Sequence, residues 1–187
     1  MGTIFQFKVT LRNVKPVIWR RFLVKDDITF WDLHYTIQIV MGWENCHLHQ
    51  FAKGRDRYIG DLVQMEGEVE DEDEILVKTI FDKPGTTIRY DYDFGDGWEH
   101  DIVLEKILEV DPGLYYPRCI KGKSNCPPED SGGPYGFMNM MEILASGKGR
   151  QKKEILEWLG DDYDPAKFNL QEVNEILENG IEIDFDK

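Results

Sequence analysis

Residues 4 to 12 alternate Phe5, Phe7, Val9 and Leu11 with polar neighbours, the period of a strand with one buried face. After Asn13-Val14-Lys15-Pro16 the run Val17 to Val24 resumes that character, so the two predict a β-hairpin. The period then lengthens. Phe30, Leu33, Ile37 and Val40 or Met41 recur at helical spacing, with Thr29 as N-cap, Asp32 completing a shortened capping box and Gly42 ending the helix. His47-Leu48-His49-Gln50-Phe51 reads as a third strand. Asp61 to Glu74 is too acidic and too poor in aromatics to bury, which predicts a mobile loop, and Ile75 to Phe81 is ambiguous between helix and strand. Tyr90 to Ile107 alternates about Asp96-Gly97, the dipeptide a type I′ turn requires, and predicts a second hairpin. Pro112 to Pro134 is rich in proline and glycine and predicts a long irregular connection. Helical spacing returns in Phe137, Met140, Met141 and Leu144, in Ile155, Leu156 and Leu159, and in Val173, Ile176 and Leu177 behind an Asn169/Glu172 capping box. The sum is one α+β domain over residues 1–187: a mixed or antiparallel sheet with a β-grasp-like ββαβ opening and a helical C-terminal cap.

A chain of 187 residues can bury a real core without disulfides or metal staples. Charge breaks every apolar stretch within a few residues, so neither a signal peptide nor a membrane span is expected and the protein reads as cytoplasmic. Three cysteines, Cys46, Cys119 and Cys126, fit reduced thiols better than a disulfide framework. The net charge of −14 argues against a protein that coats duplex nucleic acid. Arg12, Lys15, Arg20, Arg21 and Lys25 could still form a local basic patch, although Arg20 and Arg21 occupy adjacent strand positions and point to opposite faces.

The run Tyr90 to His100 carries the densest display of polar and aromatic groups. A two- or four-residue loop would place Asp91, Asp93, Trp98 and His100 on one face, where carboxylates and an imidazole could orient a metal or a base beside a stacking indole. The competing reading is a solvated sheet face with Tyr90, Tyr92 and Phe94 turned inward, and an odd loop would swap the two faces. His47 and His49 fall on one side of a strand, spaced like metal ligands or like histidines satisfied by neighbours. Cys119-x6-Cys126 offers two thiols, and a tetrahedral site needs two more donors. The segment from Cys126 to Gly136 brings glycine-rich backbone to a helix N-terminus, but Glu129 and Asp130 oppose an anion there. Gly160-Asp161-Asp162-Tyr163-Asp164-Pro165 lacks the ligand register of a calcium loop, and no nucleophile elbow is present.

Taken together, several of these motifs resemble the plasmid pRiA4b ORF-3-like proteins, from about Phe5 to about Leu177. The resemblance rests on Pro16-Val17-Ile18-Trp19-Arg20-Arg21, Asp32-Leu33-His34, Gly42-Trp43 with His47-Leu48, Tyr92-Asp93-Phe94-Gly95-Asp96-Gly97-Trp98 with His100, Tyr116-Pro117-Arg118-Cys119, Cys126-Pro127-Pro128-Glu129-Asp130, Gly132-Gly133-Pro134-Tyr135-Gly136, and Trp158-Leu159-Gly160 with Asp164-Pro165. It implies a family without an assigned biochemical function, named after a plasmid reading frame and linked to mobile elements through relatives carried on insertion elements. Relatives often have a third cysteine where this chain has Ser131. Several of these motifs fall on loops and turns that packing alone does not dictate, positions that more often serve binding than core.

The leading expectation is a non-enzymatic binding or interaction module, without a cofactor, whose site is Asp93, Trp98 and His100 with Glu129, Asp130 and Tyr135, for a protein or a small polar ligand. The alternative is a divalent-metal-dependent hydrolase of phosphoester-type bonds, with His47, Asp93 and His100 holding an ion such as zinc. A nucleic-acid site through Arg20 or Arg21 ranks third.

Overall fold

The computed structural model describes residues 2–61, 69–146, 149–160 and 163–179. Strand β1 (Thr3–Leu11) pairs antiparallel with β2 (Trp19–Lys25), and its alternation sends Phe5, Phe7, Val9 and Leu11 into the core. Helix α1 (Phe30–Met41) starts at the expected capping box: the Thr29 hydroxyl accepts the Asp32 N–H at 3.1 Å, and the Asp32 carboxylate accepts the Thr29 N–H at 3.0 Å. It stops at Gly42, whose φ of 90° is left-handed and costs glycine little. Phe30, Leu33, Ile37 and Val40 are buried beneath it, each contributing roughly 1.5–3 kcal/mol of apolar burial.

The remaining strands are β3 (His49–Lys53), β4 (Arg57–Gly60), β5 (Glu70–Asp71), β6 (Thr87–Tyr92), β7 (Trp98–Glu109) and β8 (Arg118–Lys123). They form one mixed sheet in the order β5-β4-β3-β6-β7-β1-β2-β8, antiparallel except for β4 with β5. The opening is ββαβ in chain order, but β3 pairs with β6 and the β6–β7 hairpin lies between it and β1.

Two sequence expectations change, and one open segment takes a definite form. The acidic segment is not loop throughout: Glu70 and Asp71 pair with Ile59 and Gly60, and Glu72 is buried because its carboxylate meets His49 Nε2 at 2.7 Å. Residues 62–68 of that segment lie outside the described residues. The stretch from Pro112 to Pro134 contains β8, an edge strand held by helix α4 (Leu170–Asn179). Asn174 of that helix stands in for a missing strand partner, accepting the Cys119 N–H and donating to the Cys119 carbonyl, both at 2.9 Å. The segment from Ile75 to Phe81 resolves into a 3-10 turn at Val77–Thr79.

The basic patch is also revised. Arg20 lies inside the protein, donating to the carbonyls of Val40, Trp19 and Lys123 and stacking on Phe168 with its guanidinium carbon 4.1 Å from the ring centre. Arg21 grips the Glu105 carboxylate with two hydrogen bonds, one of 2.8 Å. Neither guanidinium is left for a phosphate backbone. Cys119 and Cys126 are free and buried, and burial pushes the Cys119 thiol up to about 11. Among the described residues no helix is long and apolar enough to cross a membrane.

Register fixes where the loops gather. Pairing of Leu11 with His100, Thr10 with Trp19, Trp19 with Lys123 and His49 with Tyr92 puts four features at one end of the sheet: the β6–β7 tip, the entry to β3, the exit from β8 and the β1–β2 connection. The loop leaving β8 runs there into α2 (Gly133–Ser146), which is followed by α3 (Arg150–Leu159).

Candidate functional site

The β6–β7 connection has five residues, Asp93 to Gly97, because the last strand pair is Tyr92 with Trp98. The two-residue turn expected at Asp96-Gly97 does not form. Asp93 takes a left-handed φ of 53°, and its Oδ1 accepts the N–H groups of Gly95 at 2.9 Å and Asp96 at 3.2 Å. A carboxylate that captures the amides two and three residues on nucleates a wider turn.

An odd connection swaps the faces. Asp91 lies opposite Glu99, while Tyr90, Tyr92, Trp98 and His100 all face the core. The expected shared face of Asp91, Asp93, Trp98 and His100 is therefore corrected. Trp98 and His100 are wholly buried. The His100 ring sits edge-on to Trp43 with centroids 5.1 Å apart, and its Nδ1 lies 3.2 Å from the Tyr90 carbonyl. Burial depresses its pKa to about 3, so it is neutral near pH 7.

Asp93 meets other partners. Just before β3, His47 points its Nε2 to within 3.7 Å of Asp93 Oδ2, 3.8 Å of Glu129 Oε2 and 3.4 Å of Asp130 Oδ1. His49, expected beside it, instead enters the core and bonds Glu72. The cluster thus draws one side chain from the α1–β3 loop, one from the hairpin tip and two from the β8–α2 loop.

Hydrogen bonds hold these loops together. The Trp43 indole N–H donates to the Pro127 carbonyl at 3.0 Å, and the Glu44 N–H donates to Glu129 Oε1 at 3.0 Å. The Tyr92 hydroxyl donates to Glu129 Oε1 at 2.8 Å and accepts the Cys46 N–H at 3.2 Å. Gly132 N–H donates to Asp96 Oδ2 at 3.0 Å. Gly133 lies so close to the Asp96 carbonyl oxygen that a Cβ at position 133 would overlap it. Burial holds the Glu129 carboxyl above the usual carboxylate range, and burial followed by the Glu129 charge holds the Tyr92 phenol above its ordinary value.

Two polar atoms of the cluster, His47 Nε2 and Glu129 Oε2, are buried without a hydrogen-bond partner. Donor atoms of His47, Asp93 and Asp130 lie within 4.8 Å of one another, as do those of Cys46, His47 and Glu129, so either set could hold a metal. Of the residues singled out in sequence, the fold brings together Asp93, Glu129, Asp130 and His47. It leaves Trp98 and His100 in the core beneath them. Tyr135, at the start of α2, is 92% exposed, and Phe94, at the hairpin tip, is 47% exposed. Sequence reasoning passed over Tyr92 and Trp43 as site-building residues. Their signal was faint: an aromatic with a polar handle often finds a partner at the edge of a core.

A cavity of about 340 Å³ opens beside His47, with Trp31, Asn45, Leu48 and His49 in its walls.

Comparison with known proteins adds the context. The family model described as Plasmid pRiA4b ORF-3-like protein matches residues 3–172. An uncharacterized protein, y4hQ, of Sinorhizobium fredii (strain NBRC 101917 / NGR234) is 35% identical over 182 residues, spanning 96% of this chain and 93% of its own length. The crystal structure of a protein of unknown function, MM3350 from Methanosarcina mazei Go1, superposes with a TM-score of 0.82 at 36% identity, covering 91% of this chain and 97% of that one.

Proposed function

The chain belongs to the plasmid pRiA4b ORF-3-like family, and from that premise we propose that it acts by binding, as an interaction module that presents one end of its sheet to a protein partner. A single observation carries this reading: three loops distant in sequence are hydrogen-bonded into one surface that leaves Phe94 and Tyr135 in solvent. Aromatic side chains held out by a fixed backbone are the usual anchors of an interface, since they bring large contact area at small entropic cost. Asp93, Glu129 and Asp130 supply the polar rim. Trp98 and His100 support the surface from below and touch no ligand. Cytoplasmic placement and a link to mobile elements belong to the same proposal.

The competing hydrolase needs His100 beside His47 and Asp93. His100 is wholly buried and lies against the Tyr90 carbonyl, so it supports no ion there. A small polar ligand remains a second reading because of the cavity beside His47, whose volume suits a compact molecule.

Photo-crosslinking from position 135 tests the proposal. A discrete adduct from the full chain, lost on Phe94→Ala and not formed by a crosslinker placed on exposed Glu157, supports it. Turnover of generic phosphoesters by wild type, abolished by His47→Ala, would replace it with the hydrolase reading.

A further inference from the structure

We propose that His47, Asp93, Asp130 and Glu129 bind one divalent cation, which cross-links the three loops of the presenting end. The inference deepens the binding-module reading and rests on it only for the purpose of the ion. The ion itself stands or falls on metal content.

Distances come first. From His47 Nε2 the three carboxylate oxygens lie at 3.4, 3.7 and 3.8 Å. Nε2 has no hydrogen-bond partner, although it is buried. A zinc-sized ion about 2.1 Å from each of four tetrahedral donors spaces those donors roughly 3.4 Å apart. The distances from Nε2 to the three oxygens are thus close to that spacing, and the donors of His47, Asp93 and Asp130 all lie within 4.8 Å of one another. These three form one set, and Glu129 Oε2, unpartnered and 3.8 Å from His47 Nε2, reaches the same ion by a side-chain shift.

Electrostatics points the same way. Three carboxylates surround one imidazole, and among the described residues no lysine or arginine forms an ion pair with any of them. The Asp93 side chain is only 10% exposed and that of Glu129 13%, so solvent screens them weakly. The Asp130 side chain, by contrast, is 78% exposed, so the charge that a divalent ion would offset is chiefly that of Asp93 and Glu129. Neighbouring bonds also aim the donors before any ion arrives. Glu129 Oε1 is occupied by Tyr92 and by the Glu44 N–H, which leaves Oε2 to point at His47. Asp93 Oδ1 is occupied by the turn amides, which leaves Oδ2. Such fixed orientation is what an outer shell provides in established metal centres.

The donor set names the ion class. One imidazole with carboxylates favours zinc or manganese over magnesium, which prefers oxygen ligands and retained water. Three carboxylates exceed the charge of a divalent ion by one, so the loaded site stays anionic and is poorly suited to an anionic phosphoester. The ion's task is to hold the surface together.

Metal content of the untagged full chain after exposure to zinc or manganese and gel filtration is the deciding measurement, paired with calorimetric titration. Wild type is expected to retain about one equivalent, and His47→Ala, Asp130→Ala and Asp93→Asn to bind roughly tenfold or more weakly. Asp93→Asn keeps the Oδ1 that builds the turn, so its loss of affinity is not a folding defect. A thermal midpoint that rises with added ion in wild type and stays fixed in the variants confirms that the ion acts on the fold. Absence of bound ion in wild type, or unchanged retention by His47→Ala, overturns the proposal. Loss on Cys46→Ser with retention by Asp93→Asn would overturn this donor set in favour of Cys46, His47 and Glu129. Repeating the crosslinking from position 135 with chelator separates the two readings. An ion bound with no effect on crosslinking refutes its cross-linking purpose, whereas failure of the adduct in every condition refutes the binding module and leaves the ion standing.

Discussion

The four histidines of the chain divide between two regions, and the division shows what burial does to one side chain. In the core, His34 belongs to a closed ring of hydrogen bonds. Gln38 donates to the Tyr90 hydroxyl at 2.9 Å, Tyr90 and His34 Nδ1 are 2.7 Å apart, His34 Nε2 and Asn45 Oδ1 are 2.7 Å apart, and the Asn45 N–H returns to Gln38 Oε1 at 3.1 Å. The His34 ring stacks on His49 with centroids 3.4 Å apart, and burial, aided by that neighbour, holds its pKa well below the ordinary value. His100 is neutral for the same reason. At the loop surface, His47 has no such ring: its Nε2 faces carboxylates at distances too long for good hydrogen bonds. His100 Nε2 is unpartnered too, but it sits among aromatic rings rather than opposite charge. Since His49 in the core also meets a carboxylate, Glu72, in one 2.7 Å bond, it is the convergence of several carboxylates on one unpartnered nitrogen that separates a candidate ligand from a packed histidine.

The strongest test of that contrast is Trp98→Ala, which empties a fully buried indole site and is expected to lower unfolding free energy by about 3–5 kcal/mol in urea titration. A loss under about 1 kcal/mol would return Trp98 to the surface. Next in size is acid sensitivity. With its folded-state pKa near 3 against an unfolded value near 6.5, His100 leaves stability intact above pH 6.5 and removes it as pH falls toward 3. The slope reaches about 1.4 kcal/mol per pH unit for that one proton, and His34 acts in the same direction. Urea unfolding at stepped pH checks this, and His100→Gln should flatten the profile by one proton. An unchanged profile would break the assignment of a neutral core imidazole.

Tyr92→Phe comes third because Tyr92 belongs to both regions, its ring stacked with Trp43 and its hydroxyl on Glu129. Loss of that donor should cost about 1–2 kcal/mol and weaken ion retention in the same protein, read by denaturation and metal analysis together. A stability loss without any change in ion binding would uncouple the regions. The smallest effect belongs to His47→Ala, whose stability in ion-free buffer should lie within about 0.5 kcal/mol of wild type by the same denaturation. A larger loss would make His47 another core histidine.

The parts legible in sequence were those governed by local periodicity: the first hairpin, the capped α1, the existence of the second hairpin and the C-terminal helices. Thr29, Asp32 and Gly42 announce α1 because each acts on its own neighbours. The register of the second hairpin was not legible, since Asp96-Gly97 competes with Asp93, and Asp93 wins through a side-chain acceptor that no alternation pattern records. β8 was hidden because its partner, β2, lies almost a hundred residues earlier and its outer edge is completed by a helix side chain. For the site, Asp93, Glu129 and Asp130 were singled out by motif. Their meeting with His47 depends on a sheet order that brings four chain segments to one end, and sequence spacing carries no trace of that order.

Gly133 pressed against the Asp96 carbonyl has an engineering consequence. The hairpin tip and the loop before α2 touch main chain to main chain, so the span between Asp93 and the Glu129-Asp130 pair is set by backbone and cannot be retuned by exchanging side chains. A Cβ at Gly136, in the first turn of α2, would likewise overlap the Ser131 carbonyl oxygen of the preceding loop. Anyone transplanting this surface to another scaffold must move tip and loop as a single cassette, and insertions or deletions tolerated in one will be tolerated only with a matching change in the other.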